Sequence, residues 1–534
     1  MPRLQFKGKI LVENYHMSVP FHELIASREK GLSPQSSLHD NLILHGDNLA
    51  ALKSLLPFYR EQVKCIFIDP PYNTGNESWE YNDNVNSPLI KDWLGKTVDR
   101  DDLTRHDKWL CMMMPRLKLL HQLLRKDGVI FVSIDDNEMH HLRCLMNEVF
   151  GEENFLASFI WHHRKSKQND IRVSLGHNYI LGYTKNETHF ELKSIPVNES
   201  QFSNPDNDPR GPWTLDPMDA PNICPNLTYE IINPNTGKSY YPPKGRCWQF
   251  CKEKYEQALE EGRIVFGRTG RAKPQYKRYL EEAKQKGRSV STIWQDVGTA
   301  TNATEELNQI FGEKGVFKTP KPSDLIRKLV LLSTDHDSVV LDSFAGSGTT
   351  AHAVLAQNLE DGGNRRFILV ECEDYAESTT AERVRRVIQG VPDSKNESLN
   401  AGLGGTFSYY TLGRPMKQES LLDGSHLPSW ENLSSYIFFT ATGQEFDLNV
   451  INHDTGYIGQ TNSHDVFLLY EPDVDQLKNL ALSLSEARAL PASPRRKLVF
   501  APAKYLDQEF LHKYNIDFQQ LPFQIYEAID PDEK

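Results

Sequence analysis

Two short blocks hold the residues best suited to chemistry. Asp69-Pro70-Pro71-Tyr72 closes the apolar run Cys65-Ile66-Phe67-Ile68, and far downstream Phe344-Ala345-Gly346-Ser347-Gly348-Thr349-Thr350 follows Val339-Val340-Leu341-Asp342-Ser343. The Asp69 carboxylate can accept a hydrogen bond from an amino group. The Pro70 carbonyl, left without a local N–H partner by Pro71, can accept a second. Two acceptors on one amine turn its nitrogen lone pair outward. Tyr72 adds an aromatic face, and stacking of a base on such a face contributes roughly 1–3 kcal/mol. The block therefore suits an exocyclic amine on a base lifted out of its stack. As a bare four-residue pattern it also reads as a strand end followed by a capped turn.

The second block suits a nucleotide-like ligand. Gly346 and Gly348 permit close backbone approach, and Thr349-Thr350 open a helix whose N-terminal N–H groups favour an acceptor-rich partner. The Gly-x-Gly spacing lacks the third glycine of a dinucleotide fingerprint, and such a turn also serves plain packing. The strand Arg366-Phe367-Ile368-Leu369-Val370 then ends at Glu371, and an acidic residue at the tip of the next strand is where a ribose diol is bound in nucleotide-type cofactors. Both apolar runs read as buried parallel strands. In an open α/β sheet ligands bind at the carboxyl ends of the strands, so the two blocks are expected on one rim, facing each other.

With the blocks in this order the chain resembles the β-class amino-group DNA methyltransferases, in which Asp-Pro-Pro-Tyr precedes Phe-x-Gly-x-Gly. Other stretches share the likeness: His45-Gly46-Asp47-Asn48-Leu49; Trp109-Leu110 with Met113, Arg116 and Leu117; Gly128-Val129-Ile130-Phe131-Val132-Ser133-Ile134-Asp135-Asp136-Asn137-Glu138; and Lys318-Thr319-Pro320-Lys321-Pro322. Over its whole length the chain looks like the Mod subunits of type III restriction-modification systems, through residues 204–213, Thr440-Ala441-Thr442-Gly443 and residues 498–506.

The resemblance implies an α/β fold: a Rossmann-like, S-adenosylmethionine-dependent methyltransferase sheet in permuted β-class order, with an inserted target-recognition domain and an α+β C-terminal domain. It implies that Asp69, Pro70, Pro71 and Tyr72 hold a flipped adenine. Phe344, Gly346 and Gly348 would line S-adenosyl-L-methionine, Glu371 would bind its ribose hydroxyls, and Asp47 would stand near its adenine ring. Lys321 would support its carboxylate, and Asp342 would either contact its amino-acid end or orient the glycine loop. Asp at position 69 favours adenine, since cytosine-N4 enzymes of the class usually carry Ser there. The implied partners are double-stranded DNA, a second copy of the chain and a restriction (Res) subunit.

Composition is that of a soluble protein, 39% hydrophobic and 25% charged, with no apolar stretch approaching a membrane span and a start that lacks the apolar core of a secretion signal. Seven scattered cysteines read as reduced cytoplasmic thiols. The tightest group, Cys224, Cys247 and Cys251, is one ligand short of a zinc site, and no metal is expected. Asp135-Asp136-Asn137-Glu138 lacks calcium-loop spacing and reads as a helix cap. Trp161-His162-His163-Arg164-Lys165 could touch the DNA backbone, near the place where the resemblance puts a loop that closes over the target; the adjacent histidines at a strand exit also read as simply exposed.

A net charge of −12 conceals an asymmetry. Residues 263–288 carry nine basic against two acidic residues, among them Arg263, Arg268, Arg271, Lys273, Lys277 and Arg278, interleaved with Tyr276 and Tyr279. Lying between the two blocks, this stripe is expected to contact DNA phosphate; otherwise it is a solvated face. Residues 415–534 carry 18 acidic against nine basic residues and are expected to face protein or solvent. The resulting organisation is an N-terminal arm (1–40), a catalytic half (41–160), a recognition insertion (161–300), a cofactor half (301–411) and a C-terminal domain (412–534). Apolar strands are expected at 436–440, 466–470 and 497–501.

Three further readings stay open at this stage: a cytosine-N4 methyltransferase, a non-catalytic DNA-recognition subunit and a nicotinamide-dependent oxidoreductase. Asp69 disfavours the cytosine-N4 reading. The intact Asp69, Tyr72 and glycine loop disfavour the non-catalytic subunit, and Asp-Pro-Pro-Tyr is unexplained by the oxidoreductase.

Overall fold

The two apolar runs that precede the chemical blocks become adjacent strands. The structure, a computed structural model, describes residues 3–74, 105–166, 172–267, 269–416, 427–477 and 479–521. In chain order the strands of its central sheet are β1 (His22–Ala26), β2 (Leu42–His45), β3 (Val63–Ile68), β4 (Leu124–Ile134), β5 (Phe155–Trp161), β6 (Asn178–Thr184), β7 (Ile293–Trp294), β8 (Val339–Asp342), β9 (Arg366–Glu371) and β10 (Ser408–Pro415). They lie in the order β1-β10-β2-β9-β8-β3-β4-β6-β5-β7. The six strands from β10 to β4 are parallel, whereas β6 runs antiparallel to both β4 and β5.

The halves of the chain meet where β3 pairs with β8, with Val339 opposite Val63 and Leu341 opposite Ile66. Parallel pairing puts the carboxyl ends of β2, β3, β8 and β9 on one rim, so Asp47, Asp69, Asp342 and Glu371 all stand at that edge. Central parallel strands are covered on both faces, which explains their unbroken apolar runs. All six positions of β3 are buried. Lys64 is tolerated there because its ammonium reaches the Asp127 carbonyl at 2.7 Å and carboxylate at 2.9 Å.

The covering helices are cut to length by local chemistry. They are α1 (Asn48–Tyr59), α2 (Arg105–Leu123), α3 (Met139–Phe150), α4 (Ala300–Phe311), α5 (Ser323–Ser333) and α6 (Thr349–Asp361). Asp47 caps α1 by accepting from the Ala50 N–H at 3.0 Å, and Thr299 with Asn302 forms a capping box on α4. Leu117, Leu120 and Leu123 of α2 are fully buried where it packs between α1 and α3. Among the described residues no helix is long and apolar enough to cross a membrane.

The chain divides into two compact units, 1–192 with 292–534, and 193–291. The smaller unit is narrower than the 161–300 stretch suggested by composition, because β5, β6 and β7 join the central sheet. It has its own core of Met218, Ile231, Trp248, Tyr255 and Phe266 around a three-stranded sheet of Trp213–Pro217, Ile264–Val265 and Gln275–Tyr279. In the larger unit the 1–40 stretch contributes β1, antiparallel to β10. Residues 436–440 are not a strand. They lie within the helix Trp430–Thr442, whose start is fixed by the Ser429 side chain and whose end is fixed by Gly443 at φ 64°. Strands do form at His464–Leu468 and Arg496–Ala501, inside a separate four-stranded sheet.

Gly348 links β8 to α6 at φ 77°, and a Cβ there would stand 3.0 Å from the Thr380 carbonyl oxygen. Gly348→Ala is therefore expected to lower stability by about 1–3 kcal/mol through backbone strain. Urea denaturation checks this, and an unchanged midpoint would contradict it.

Candidate active site

Both blocks line one cavity of about 560 Å³. Asp69, Pro70, Pro71 and Tyr72 form one side, and Asp342, Phe344, Gly346, Ser347 and Thr349 form the other; Phe317, Lys321, Trp161, His163 and Tyr375 complete the wall. The volume lies in the usual range for small-molecule sites.

The Asp69 carboxylate is held at both oxygens. Oδ1 accepts from the Tyr72 hydroxyl at 2.8 Å, and Oδ2 accepts from the Lys321 ammonium. The Tyr72 hydroxyl also contacts Ser133 Oγ, at 2.6 Å at the end of β4. Burial, reinforced by the Asp69 charge, raises the Tyr72 phenol well above its ordinary pKa, so it stays protonated. Behind this pair, Trp109 Nε1 donates to the Pro71 carbonyl at 2.7 Å. Asn73 follows at φ 55° with no exposure, and its amide donates to the Glu138 carboxylate and to the Arg105 carbonyl, at 3.3 Å for the latter.

Glu138 is thus a hub beneath the Asp-Pro-Pro-Tyr loop and not the helix cap suggested by its sequence neighbours. It occupies the N-cap position of α3 but makes no side-chain cap bond. Its carboxylate instead bonds Asn73, His106 Nδ1 at 2.6 Å and His141 Nδ1 at 2.8 Å. Burial pushes its carboxyl up to about 7. His106, Glu138 and His141 bring ligand-type atoms within 4.8 Å of one another. Arg105 Nε, which can only donate, bonds His106 Nε2 at 3.2 Å, so the imidazole proton sits on Nδ1 and is donated to Glu138. The cluster reads as hydrogen bonding. Cys224, Cys247 and Cys251 are not among the metal-type groupings of the described residues.

The glycine loop is pinned from several sides. Asp342 accepts from the Phe344 N–H at 3.0 Å and the Thr350 hydroxyl at 2.5 Å, which orients the loop; burial raises its carboxyl to about 7. Glu371 accepts from the Gly346 N–H at 2.7 Å and from the Cys372 and Glu373 N–H groups at 2.9 and 3.1 Å. Beneath the loop, fully buried Arg383 donates to Ser347 Oγ at 3.1 Å, Thr349 Oγ1 at 2.7 Å and Glu306 at 3.1 Å. Asp47, Gly348 and Glu371 share the rim without lining the cavity, unlike the expectation for each. Phe317 and Arg383 escaped the sequence reading, Ser133 and Glu138 were given no part in the site, and Trp161, expected at an exposed strand exit, is buried against the cavity. Only Trp161 had a signal, as an aromatic residue at a strand's carboxyl end.

In the smaller unit the basic stripe is largely paired. Lys277 is buried and bonds Asp206 at 2.6 Å and Asp208 at 2.9 Å, so it is not available to phosphate. Asp208, which also accepts from Arg210 and Tyr279, is held far below the ordinary carboxylate range by these donors. Arg263 bonds Glu282 and Tyr276, Arg278 pairs with Asp216 at 3.2 Å, and Lys273 stands 3.8 Å from Asp219. Arg271, Lys286 and Arg288 are exposed, with no acidic partner among the described residues. Arg268 lies outside the described residues.

Residues 63–382 match the N6_N4_Mtase family, described as DNA methylase. The chain is 34% identical over 410 residues to the Mod subunit of the type III restriction-modification enzyme StyLTI of Salmonella typhimurium, covering 71% of this chain and 61% of that one. It is 33% identical over 371 residues to the type II methyltransferase M.KpnI of Klebsiella pneumoniae, covering 64% and 82%, and 31% identical over 386 residues to the EcoP15I Mod subunit of Escherichia coli, covering 62% and 58%. The chain thus spans about three fifths of the length of these Mod subunits. A proposed DNA modification methylase of Thermus thermophilus, solved with S-adenosyl-L-methionine, is similar at 15% identity and TM-score 0.33, over 71% of this chain and all of that one.

Glu138 yields a pH prediction. Its folded pKa of about 7 lies above the ordinary 4.5, so the folded state binds the extra proton between those values and stability from this group is lost as pH rises through them. The melting temperature of the protein relative to that of Glu138→Gln is expected to fall between pH 5 and pH 8. A difference independent of pH would contradict the buried-carboxyl assignment.

Proposed function

The chain belongs to the N6/N4 DNA methylase family, and on that premise we propose that it methylates N6 of a flipped adenine in double-stranded DNA, using S-adenosyl-L-methionine, as the Mod subunit of a type III restriction-modification system. One observation supports this most: the amine-accepting loop and the glycine loop wall the same cavity.

The residues fit that cofactor. Gly346 at φ 52° leaves room before the Phe317 ring, which a Cβ would approach to 3.3 Å, and buried Phe344 gives an apolar wall. Asp69 and Asp342 offer carboxylates toward a sulfonium cation, and Lys321 offers an ammonium toward a carboxylate. When bound, the cofactor supplies an activated methyl group on a sulfonium that leaves as a neutral thioether.

The chain's own part is to bind and orient. Asp69 accepts one amino hydrogen and the Pro70 carbonyl accepts the other, which aims the nitrogen lone pair across the cavity and stabilises positive charge growing on that nitrogen. Tyr72 stacks on the base while its hydroxyl, fixed by Ser133, keeps Asp69 in plane. Holding two reactants at attack distance contributes roughly 7–11 kcal/mol in favourable systems. Glu138 and Asn73 hold the acceptor loop, and Asp342 and Arg383 hold the glycine loop, so neither has to be ordered when the reactants arrive.

DNA is held, in this reading, by the smaller unit, through Arg271, Lys286 and Arg288 in place of Lys277. The acidic C-terminal region supports a protein contact, either with a second copy or with a restriction subunit. A pair of identical chains closes by two-fold symmetry, which lets one recognition unit serve the other chain's cavity.

Asp69→Ala is expected to abolish tritiated methyl transfer from S-adenosyl-L-methionine to DNA while cofactor binding persists. Wild-type turnover in this variant would overturn the assignment. Replacing Arg271, Lys286 and Arg288 with Gln is expected to flatten the dependence of DNA affinity on salt by roughly 0.9 logarithmic units per lost phosphate contact. Lys277→Gln is expected instead to lower the unit's thermal stability. An unchanged salt slope in the triple variant would return the stripe to a solvated face.

A further inference from the structure

Lys321 is the cation nearest to Asp69, and its placement limits when Asp69 can accept a base. Its backbone is fixed between Pro320 and Pro322, and its carbonyl accepts from Thr349 Oγ1 at 3.3 Å beside the glycine loop. From there the side chain crosses the cavity to bond Asp69 Oδ2, with its ammonium 5.3 Å from the Tyr72 ring centre and 6.0 Å from that of Trp161. Among the described residues Asp69 is its only hydrogen-bond partner, although an ammonium carries three donors. Because Tyr72 occupies Oδ1, the protein's own donors engage both oxygens of Asp69.

A neutral base amine cannot match an ammonium for the same carboxylate, since charge-assisted bonds are about twice as strong as neutral ones. The ammonium also stands within 5.3 Å of the Tyr72 ring centre, so it fills space that a base stacking on that ring would need. Lys321 therefore has to leave before the amine is accepted, and a flexible four-carbon stem allows it to do so. It needs another anion on leaving. The same cavity holds the start of α6, and the group proposed to bind there bears a carboxylate.

We propose that Lys321 is a positioning residue that holds Asp69 in the free protein and transfers its ammonium to the carboxylate of S-adenosyl-L-methionine, thereby releasing Asp69 to accept the target amine. This rests on the methyltransferase reading above. Its consequence is reciprocal: Asp69 and the cofactor's carboxylate compete for one cation, so weakening one claim strengthens the other.

Calorimetric titration of the full chain with S-adenosylhomocysteine tests this without DNA. That ligand has the carboxylate but no sulfonium, so Asp69 does not attract it through the sulfur. The control is 5′-methylthioadenosine, which has the same nucleoside and thioether without the carboxylate. Asp69→Asn is expected to tighten S-adenosylhomocysteine about 5-fold or more and to leave 5′-methylthioadenosine unchanged. In a Lys321→Met background, Asp69→Asn is expected to have no effect on either. Should Lys321→Met fold poorly by circular dichroism, Lys321→Gln replaces it. An unchanged or weaker S-adenosylhomocysteine affinity in Asp69→Asn, an equal gain for both ligands, or a gain that survives loss of Lys321 would overturn the proposal alone. Absence of S-adenosylhomocysteine binding to the wild type would instead overturn the methyltransferase reading beneath it.

Discussion

The parallel pairing of β3 with β8 is the constraint on which the site depends. It joins strands from opposite ends of a long insertion, and its register puts Asp69 and Asp342 on one rim. Had the strands paired antiparallel, the acceptor loop and the glycine loop would lie at opposite edges of the sheet. Loop closure over so many residues costs entropy, but the cost rises only logarithmically with loop length. Fully buried apolar strands with helices on both faces readily offset it. The stretch between the two strands supplies β4 to β7 and the cavity residues Tyr72, Trp161, Phe317 and Lys321, and it also carries the compact unit 193–291.

Within that frame, buried polar groups fix the loops. Glu138 holds Asn73 from below the acceptor loop, while Asp342, Glu371 and Arg383 grip the glycine loop from three directions. A buried charge is costly unless its partners are complete, so each network has few alternative arrangements. The described loops of the site are held before a ligand arrives, so binding energy is not spent on fixing them. Lys321 differs from these residues. Among the described residues its ammonium makes one hydrogen bond, across the cavity to Asp69, which makes it the movable part of an otherwise fixed constellation.

Much of this was legible in the sequence because it is local. Apolar runs ending in Asp69 and Asp342 named the strands and the rim, and the glycines of the second block matched positions with positive φ. What the sequence hid is long-range. Glu138 followed a strand in an acidic run and looked like a cap; only the fold brings Asn73, His106 and His141 to it. Lys277 looked like one more cation of a basic stripe until the approach of Asp206 and Asp208 buried it. Residues 436–440 misled in another way, because Tyr-Ile-Phe-Phe-Thr has strand composition, whereas Ser429 and Gly443 delimit a helix around it. There the terminal signals outweighed the propensity of the run between them.

On the proposed function, one cavity presents an adenine amine to a methyl donor. Long-read sequencing of DNA from a methylation-free bacterial host, with and without this gene, tests it most directly, because it reads base and position together. The account predicts N6-methyladenine at a single recurring sequence motif only in cells that carry the gene. Unmodified DNA, or N4-methylcytosine in its place, would contradict it.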